Sequence, residues 1–294
     1  MKKVAIIGSN GFIGKHLTWY LKKEKGIIAE CYDISSMSEN NYHQIDMTNK
    51  ASVAHINLDV DYIFFMAGIT GTKIGFNNYE QFVYSNEIAL LHLLDTIKDS
   101  NYRPHIIFPS SRLVYKGIDK ALTEEDEKES KTIYSVNKLA CENYLKVYKN
   151  NFDIPYTIFR IGVPYGNLLE NNYSFGTIGF FIKMATENKN ITLYGDGMYK
   201  RTFTHMEDLC YQMIEGCFLS EAQNNIYNIG GETLSLYEVA HIIAQKYKAS
   251  VKSIPWPQED LRIESGHTYF NDEKIQHLLK GYQYHEMRKA LQNI

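Results

Sequence analysis

The first twenty-one residues separate two kinds of hydrophobic pattern. Val4, Ala5, Ile6 and Ile7 form an unbroken apolar run, as expected of a strand buried on both faces. Phe12, Ile13, Leu17, Tyr20 and Leu21 then recur at helical spacing, one apolar face of a helix. The alternation continues down the chain. Residues 27–33, 62–66, 105–110 and 156–160 read as strands, and 79–98 and 133–149 as helices. Strand and helix in turn predict a parallel sheet covered by helices on both faces. After Pro164 the texture changes to Asn/Gly-rich loops, short strands at 191–194 and 226–229, and shorter helices. The expected fold class is α/β, a Rossmann-type doubly wound parallel sheet over residues 1–162. A second, smaller α/β domain is expected over 163–294, with some segments returning to the first.

Composition narrows the classes. With 294 residues, 44% hydrophobic and 22% charged, the chain is ordinary for a globular protein and can bury a sizeable core. A net charge of −3 offers no reason to expect nucleic acid or an anionic membrane as partner. No stretch reaches the length of a membrane span, and Lys2 and Lys3 precede too short an apolar run for a signal peptide. Cys31, Cys141, Cys210 and Cys217 show neither metal-ligand spacing nor a disulfide framework. The expectation is a cytoplasmic protein without a metal. The 23 tyrosines suit either a polar cleft or the core.

Three stretches carry candidate chemistry. Gly8, Gly11 and Gly14 lie between the first strand and the first helix. That spacing permits a tight turn, a close backbone approach and close helix-on-strand packing, with helix N–H groups aimed at a dinucleotide pyrophosphate. The second strand ends in Asp33, whose carboxylate is placed to accept ribose hydroxyls. No Lys or Arg follows until Lys50, which favours NAD over NADP. Asp46 is a further candidate, beside the adenine edge. "YSVNK" sets Tyr134 and Lys138 on one helix face. An ammonium there is expected to lower the phenol's pKa and to reach the nicotinamide ribose. Upstream, a strand ends in Ser110 and Ser111, hydroxyls able to polarise a carbonyl oxygen while Tyr134 exchanges its proton.

Together these motifs resemble the extended short-chain dehydrogenase/reductases, the group that includes UDP-galactose 4-epimerase, nucleotide-sugar dehydratases and GDP-fucose synthase. The match also takes in "FFMAG", Asn86, "FRIGVPYG", "ITLYGDGMYKRTFTHMEDL" and "IYNIGG". The resemblance implies an NAD(H)-dependent enzyme of carbohydrate biosynthesis acting on a nucleotide-diphosphate sugar. It selects Ser111 over Ser110 as the catalytic hydroxyl, beside Tyr134 and Lys138. It implies cofactor contacts from Gly8, Asn10, Gly11, Phe12, Ile13, Gly14, Asp33, Asp46, Met47, Ala67, Gly68, Tyr134 and Lys138. Substrate contacts fall to Thr70, Ser111, Arg112 and Arg201, the last on the diphosphate. Dehydratases of the group carry Asp-Glu after the catalytic hydroxyl, where this chain has Arg112 and Leu113, so loss of water is not expected. Val163 stands where an asparagine usually contacts the substrate phosphate. Ketoreduction at C4 of a 4-keto-6-deoxyhexose is the expected reaction, with 4-epimerisation on tightly held NAD as the alternative. A non-catalytic dinucleotide sensor would not need the Tyr134/Lys138 pair. A homodimer is expected through the two long helices, which carry Leu90, Leu91, Leu93 and Leu94 on one and Leu139, Tyr144, Leu145 and Val147 on the other.

Overall fold

A computed structural model describes residues 2–38, 40–169 and 176–292. In chain order the strands are β1 (Val4–Ile7), β2 (Glu30–Asp33), β3 (Tyr42–Gln44), β4 (Tyr62–Phe65), β5 (His105–Ser111) and β6 (Tyr156–Ile161). They continue as β7 (Val163–Tyr165), β8 (Ile191–Tyr194), β9 (Lys200–His205), β10 (Asn225–Asn228), β11 (Glu232–Ser235) and β12 (Val251–Ile254). Seven parallel strands form the main sheet in the order β10-β6-β5-β4-β1-β2-β3. This is the doubly wound Rossmann-type arrangement.

Period-two alternation sends the residues of β1 to two different cores. Val4 and Ile6 pack with Leu17 and Leu21 of the Phe12–Lys25 helix and with Leu209 and Met213 of the Met206–Cys217 helix. Ala5 and Ile7 pack on the other face with Leu90, Leu93, Leu94 and Leu145. The smaller unit joins β11, β9 and β7 in one sheet and β12 with β8 in another. Its own core centres on Tyr165, Phe181, Leu193, Phe203 and Ile243.

Several elements depart from the sequence expectation for identifiable reasons. Strand β2 starts at Glu30 rather than residue 27, because Gly26 caps the preceding helix in the left-handed region and Ile27 N–H still bonds to Leu21 O at 2.9 Å. The polar strand β3 carries no apolar alternation and was not expected. Strand β10 lies in the main sheet, beside β6. The long helix is continuous but contains a π turn over Tyr84–Ile88. Tyrosine serves the core as well as the clefts, with Tyr32, Tyr115 and Tyr165 fully buried. The four cysteines are buried. Among the described residues no helix is long and apolar enough to cross a membrane.

Candidate active site

Strand order reverses between β1 and β4, and the crevice at that switch point is where doubly wound sheets bind ligands. A cleft of about 480 Å³ opens there, lined by Gly8, Asn10, Gly11, Asp33, Asp46, Met47, Ala67 and Gly68. Two glycines admit no replacement. Gly8 has φ +83° and a Cβ on it would lie 2.4 Å from Ala67 N, while a Cβ on Gly14 would lie 2.2 Å from Gly8 O. The helix that begins at Phe12 and Ile13 has no side-chain cap and no acid in its first turn. The positive dipole end of this helix therefore suits an anion.

Asp33 Oδ2 accepts Asn10 N–H at 2.9 Å, and Oδ1 accepts the Ser35 N–H and hydroxyl at 3.1 and 2.9 Å. A carboxylate has about four acceptor positions, so one is left for a ribose hydroxyl. Asp46 Oδ1 accepts from Thr48 N–H and hydroxyl at 2.9 and 2.7 Å. The glycine cradle, the uncapped helix and the acid at the end of β2 fit a dinucleotide without a 2′-phosphate.

A second cavity of about 180 Å³ holds Thr70, Ser111, Tyr134 and Lys138 and shares the wall of Met66, Ala67, Gly68 and Ile69 with the first. Ser111 ends β5. The helix Ile133–Phe152 is started by a capping box between Thr132 and Ser135, which fixes Tyr134 in its first turn and Lys138 one turn on. The Lys138 ammonium sits 4.6 Å from the Phe108 ring centre and 5.7 Å from that of Tyr134.

Burial pushes the Tyr134 phenol up to about 12, opposed by its polar contact with Ser111 and by the charge of Arg112. Burial also pushes the Lys138 ammonium down to about 8. The expectation that Lys138 makes Tyr134 more acidic is therefore corrected: desolvation outweighs the charges, and the cation that opposes it is Arg112. The Tyr134 phenol therefore keeps its proton at neutral pH. Both adjacent serines border this cavity, and their hydrogen bonds divide them. Ser110 Oγ donates to Glu142 Oε1 at 2.5 Å, inside the fully buried pair of Glu142 with Arg160 (Nη2 to Oε2 2.6 Å). Ser111 Oγ accepts Leu113 N–H at 3.2 Å.

A third cleft of about 460 Å³ begins beside Ser111 and is lined by Arg112, Leu113, Arg201, Trp256 and Glu264. Arg112 Nη1 donates to Ser265 Oγ at 3.2 Å and Thr268 Oγ1 at 2.6 Å, and burial pushes its guanidinium down to about 9. Arg201 Nη2 donates to Glu264 Oε2 at 2.9 Å.

Sequence reasoning did not reach Ser35 or Thr48, nor Trp256 and Glu264 from a segment without a motif. It noted Asn86 without its work. In the π turn, Asn86 Oδ1 accepts Ile69 N–H at 2.9 Å and Nδ2 donates to Ile69 O at 3.1 Å. Gly68 is needed beside it, since a Cβ there would lie 2.6 Å from Asn86 Oδ1. No metal was expected. Among the described residues, His205, Glu207 and His285 bring ligand-type atoms within 4.8 Å of one another, and His285 Nδ1 is already bonded to the buried Asp208 at 2.6 Å.

Residues 4–230 match the model of the NAD dependent epimerase/dehydratase family. A Bacillus subtilis protein described as an uncharacterized UDP-glucose epimerase is 26% identical over 259 residues, covering 82% of this chain and 81% of that one. The fold is similar to that of Bacillus cereus UDP-glucuronic acid 4-epimerase, solved with UDP-glucuronic acid and NAD, at TM-score 0.83 and 22% identity over 99% of this chain and 96% of that one. It is also similar to Thermus thermophilus UDP-glucose 4-epimerase, solved with NAD, at TM-score 0.83 and 19% identity over 98% and 96%.

Proposed function

Because the chain belongs to the NAD dependent epimerase/dehydratase family, we propose that it transfers a hydride between NAD(H) and carbon 4 of a nucleotide-diphosphate hexose. The observation that carries this is the placement of Ser111, Tyr134 and Lys138 in one cavity that shares a wall with the glycine-lined cleft. NAD(H), when bound, supplies or accepts the hydride. Gly8, Gly11 and the open start of the Phe12–Lys25 helix would hold its pyrophosphate, and Asp33 its adenosine ribose. Ser111 donates a hydrogen bond to the carbonyl oxygen. Tyr134 gives that oxygen its proton, which a phenol pushed up to about 12 retains at neutral pH. Lys138 orients the nicotinamide ribose.

Within this reading the reaction is reduction of a 4-keto-6-deoxyhexose. Arg112 and Leu113 provide no acid–base pair with which this chain could eliminate water itself, and Leu113 gives the third cleft an apolar wall next to the catalytic serine. The second reading is 4-epimerisation. It is favoured by the relatives, whose names include a UDP-glucose epimerase and a UDP-glucuronate 4-epimerase. Stoichiometry separates the two. Supplied with a 4-keto-6-deoxy nucleotide sugar and NADH, a reductase oxidises one NADH per sugar. Interconversion of two hexose epimers with no net change in NADH establishes the second reading and removes the first.

A further inference from the structure

Arg201 is buried, and it is only partly satisfied. One side of its guanidinium bonds to Glu264, while Nε has no hydrogen-bond partner although it is shielded from water. Arg112 lies beside it across Thr268, which accepts from Arg112 and forms an isolated backbone bridge with Arg201. The partners of Arg112 are two neutral hydroxyls. Two guanidiniums thus line one cleft, and only Arg201 is paired there with a carboxylate. The other acid lining that cleft, Asp260, shares Lys73 with Glu259, at 3.7 Å and 2.9 Å. Guanidinium forks with unfilled donors match the paired oxygens of phosphate groups.

We propose that Glu264 occupies, in the free protein, the position that a substrate phosphate takes against Arg201, so that a nucleoside diphosphate enters by displacing an internal carboxylate and is then gripped by Arg112 as well as Arg201. This rests on the nucleotide-sugar reading above and adds to it an exchange of anions. The charges require that exchange. Two guanidiniums balance the two charges of the pyrophosphate in a nucleotide sugar, whereas Glu264 left in place would add a further negative charge in a cleft where like charges repel strongly.

The segment is built to let Glu264 go. It follows the short Gln258–Ile263 helix, none of whose residues is buried. Two residues later comes Gly266, at φ +73° with open space around its Cα. Glu264 Oε1 keeps a backbone partner in the Gly266 N–H at 3.0 Å. Lys131 Nζ holds the Glu264 carbonyl at 3.0 Å, so a swing of the side chain that gives up its bonds to Arg201 and Gly266 leaves the backbone tethered.

The test uses the full chain titrated calorimetrically with UDP, dTDP, CDP and GDP, and with the phosphate-free nucleoside of whichever binds. A contact that competes with ligand lowers apparent affinity by the fraction of molecules it occupies, so removing one that holds nine in ten tightens binding about tenfold. Glu264→Gln is expected to bind the diphosphate about tenfold tighter than wild type, with nucleoside affinity unchanged. Arg112→Gln is expected to bind the diphosphate about tenfold more weakly, again with the nucleoside unaffected. If Glu264 merely braced the cleft, Glu264→Gln would loosen it and weaken binding. Binding that is weaker or unchanged in Glu264→Gln overturns the exchange, and an undiminished affinity in Arg112→Gln overturns the second grip. If none of the four diphosphates binds wild-type protein that still binds NAD, the nucleotide-sugar reading itself falls, and this inference with it.

Discussion

Ser110 and Ser111 are neighbours on β5 with different work, and their replacement separates stability from turnover. Ser110 supplies a hydrogen bond to the buried Glu142, so Ser110→Ala should cost about 1–2 kcal/mol of stability and leave turnover near wild type. Ser111→Ala should keep the melting temperature and lower turnover about a hundredfold, as loss of one donor to developing charge does. Equal loss of turnover in both variants would contradict the division. Lys138 gives a second residue-level expectation. Its folded pKa, pushed down to about 8 from 10.5 by burial, means that the unfolded chain binds the proton more tightly. Burying the charge therefore costs stability fully below pH ~8, and that cost fades as pH rises towards the unfolded value. Lys138→Met should raise the stability of the cofactor-free protein by about 1–2 kcal/mol at pH 7, after allowance for the lost contact with the Phe108 ring. The gain should shrink by pH ~10, while turnover is lost at every pH. A variant less stable than wild type at pH 7 would show that the ammonium is not under that strain.

At the scale of elements, the π turn at Tyr84–Ile88 is the device that reaches furthest from its own sequence. Its extra residue sets Asn86 towards the loop after β4, where both of its amide atoms hold Ile69. That loop is the wall shared by the cofactor cleft and the catalytic cavity. Asn86→Ala should leave the two Ile69 backbone groups unpaired, costing about 1–3 kcal/mol, and should weaken NAD binding in the same variant. A destabilised protein with unchanged NAD affinity would confine Asn86 to folding. This element also marks how far the sequence could be read. The apolar run Val4–Ile7, the three glycines and the Tyr134–Lys138 spacing were legible because local geometry dictates each of them. The π turn was not, because its residues read as ordinary helix. Strand β3 escaped notice because an edge strand with Tyr42, His43 and Gln44 buries too little to alternate. The Arg201–Glu264 pair joins positions 63 residues apart, and no local pattern encodes it. The acidity of Tyr134 was misjudged because spacing shows a nearby charge but not the burial that outweighs it.

For the whole molecule, the homodimer remains a proposal, and its basis changes. Leu90, Leu93, Leu94 and Leu145 are spent in the chain's own core and call for no partner. The same two helices still expose Tyr84 (57%) and Val147 (52%). We propose that these pair across a two-fold axis. Sedimentation equilibrium at micromolar concentration is expected to return twice the chain mass, and Tyr84→Lys with Val147→Glu to return one chain. A wild-type protein that sediments as a monomer would remove the dimer. Dimer or monomer, each chain carries its own glycine-lined cleft, the catalytic cavity that shares a wall with it, and a two-arginine cleft that starts at the residue after Ser111.

The account's central claim is that this chain carries a hydride to carbon 4 of the sugar while Tyr134 supplies the proton. The most direct measurement supplies NADH deuterated at the transferring position together with a 4-keto-6-deoxy nucleotide sugar, and locates the label in the product by NMR. Wild-type protein is predicted to place one deuterium on C4 of the reduced sugar. Tyr134→Phe is predicted to bind NADH normally and to transfer label at least a hundredfold more slowly, within the range for loss of a general acid. Product with no deuterium on C4, or transfer undiminished in Tyr134→Phe, would contradict it.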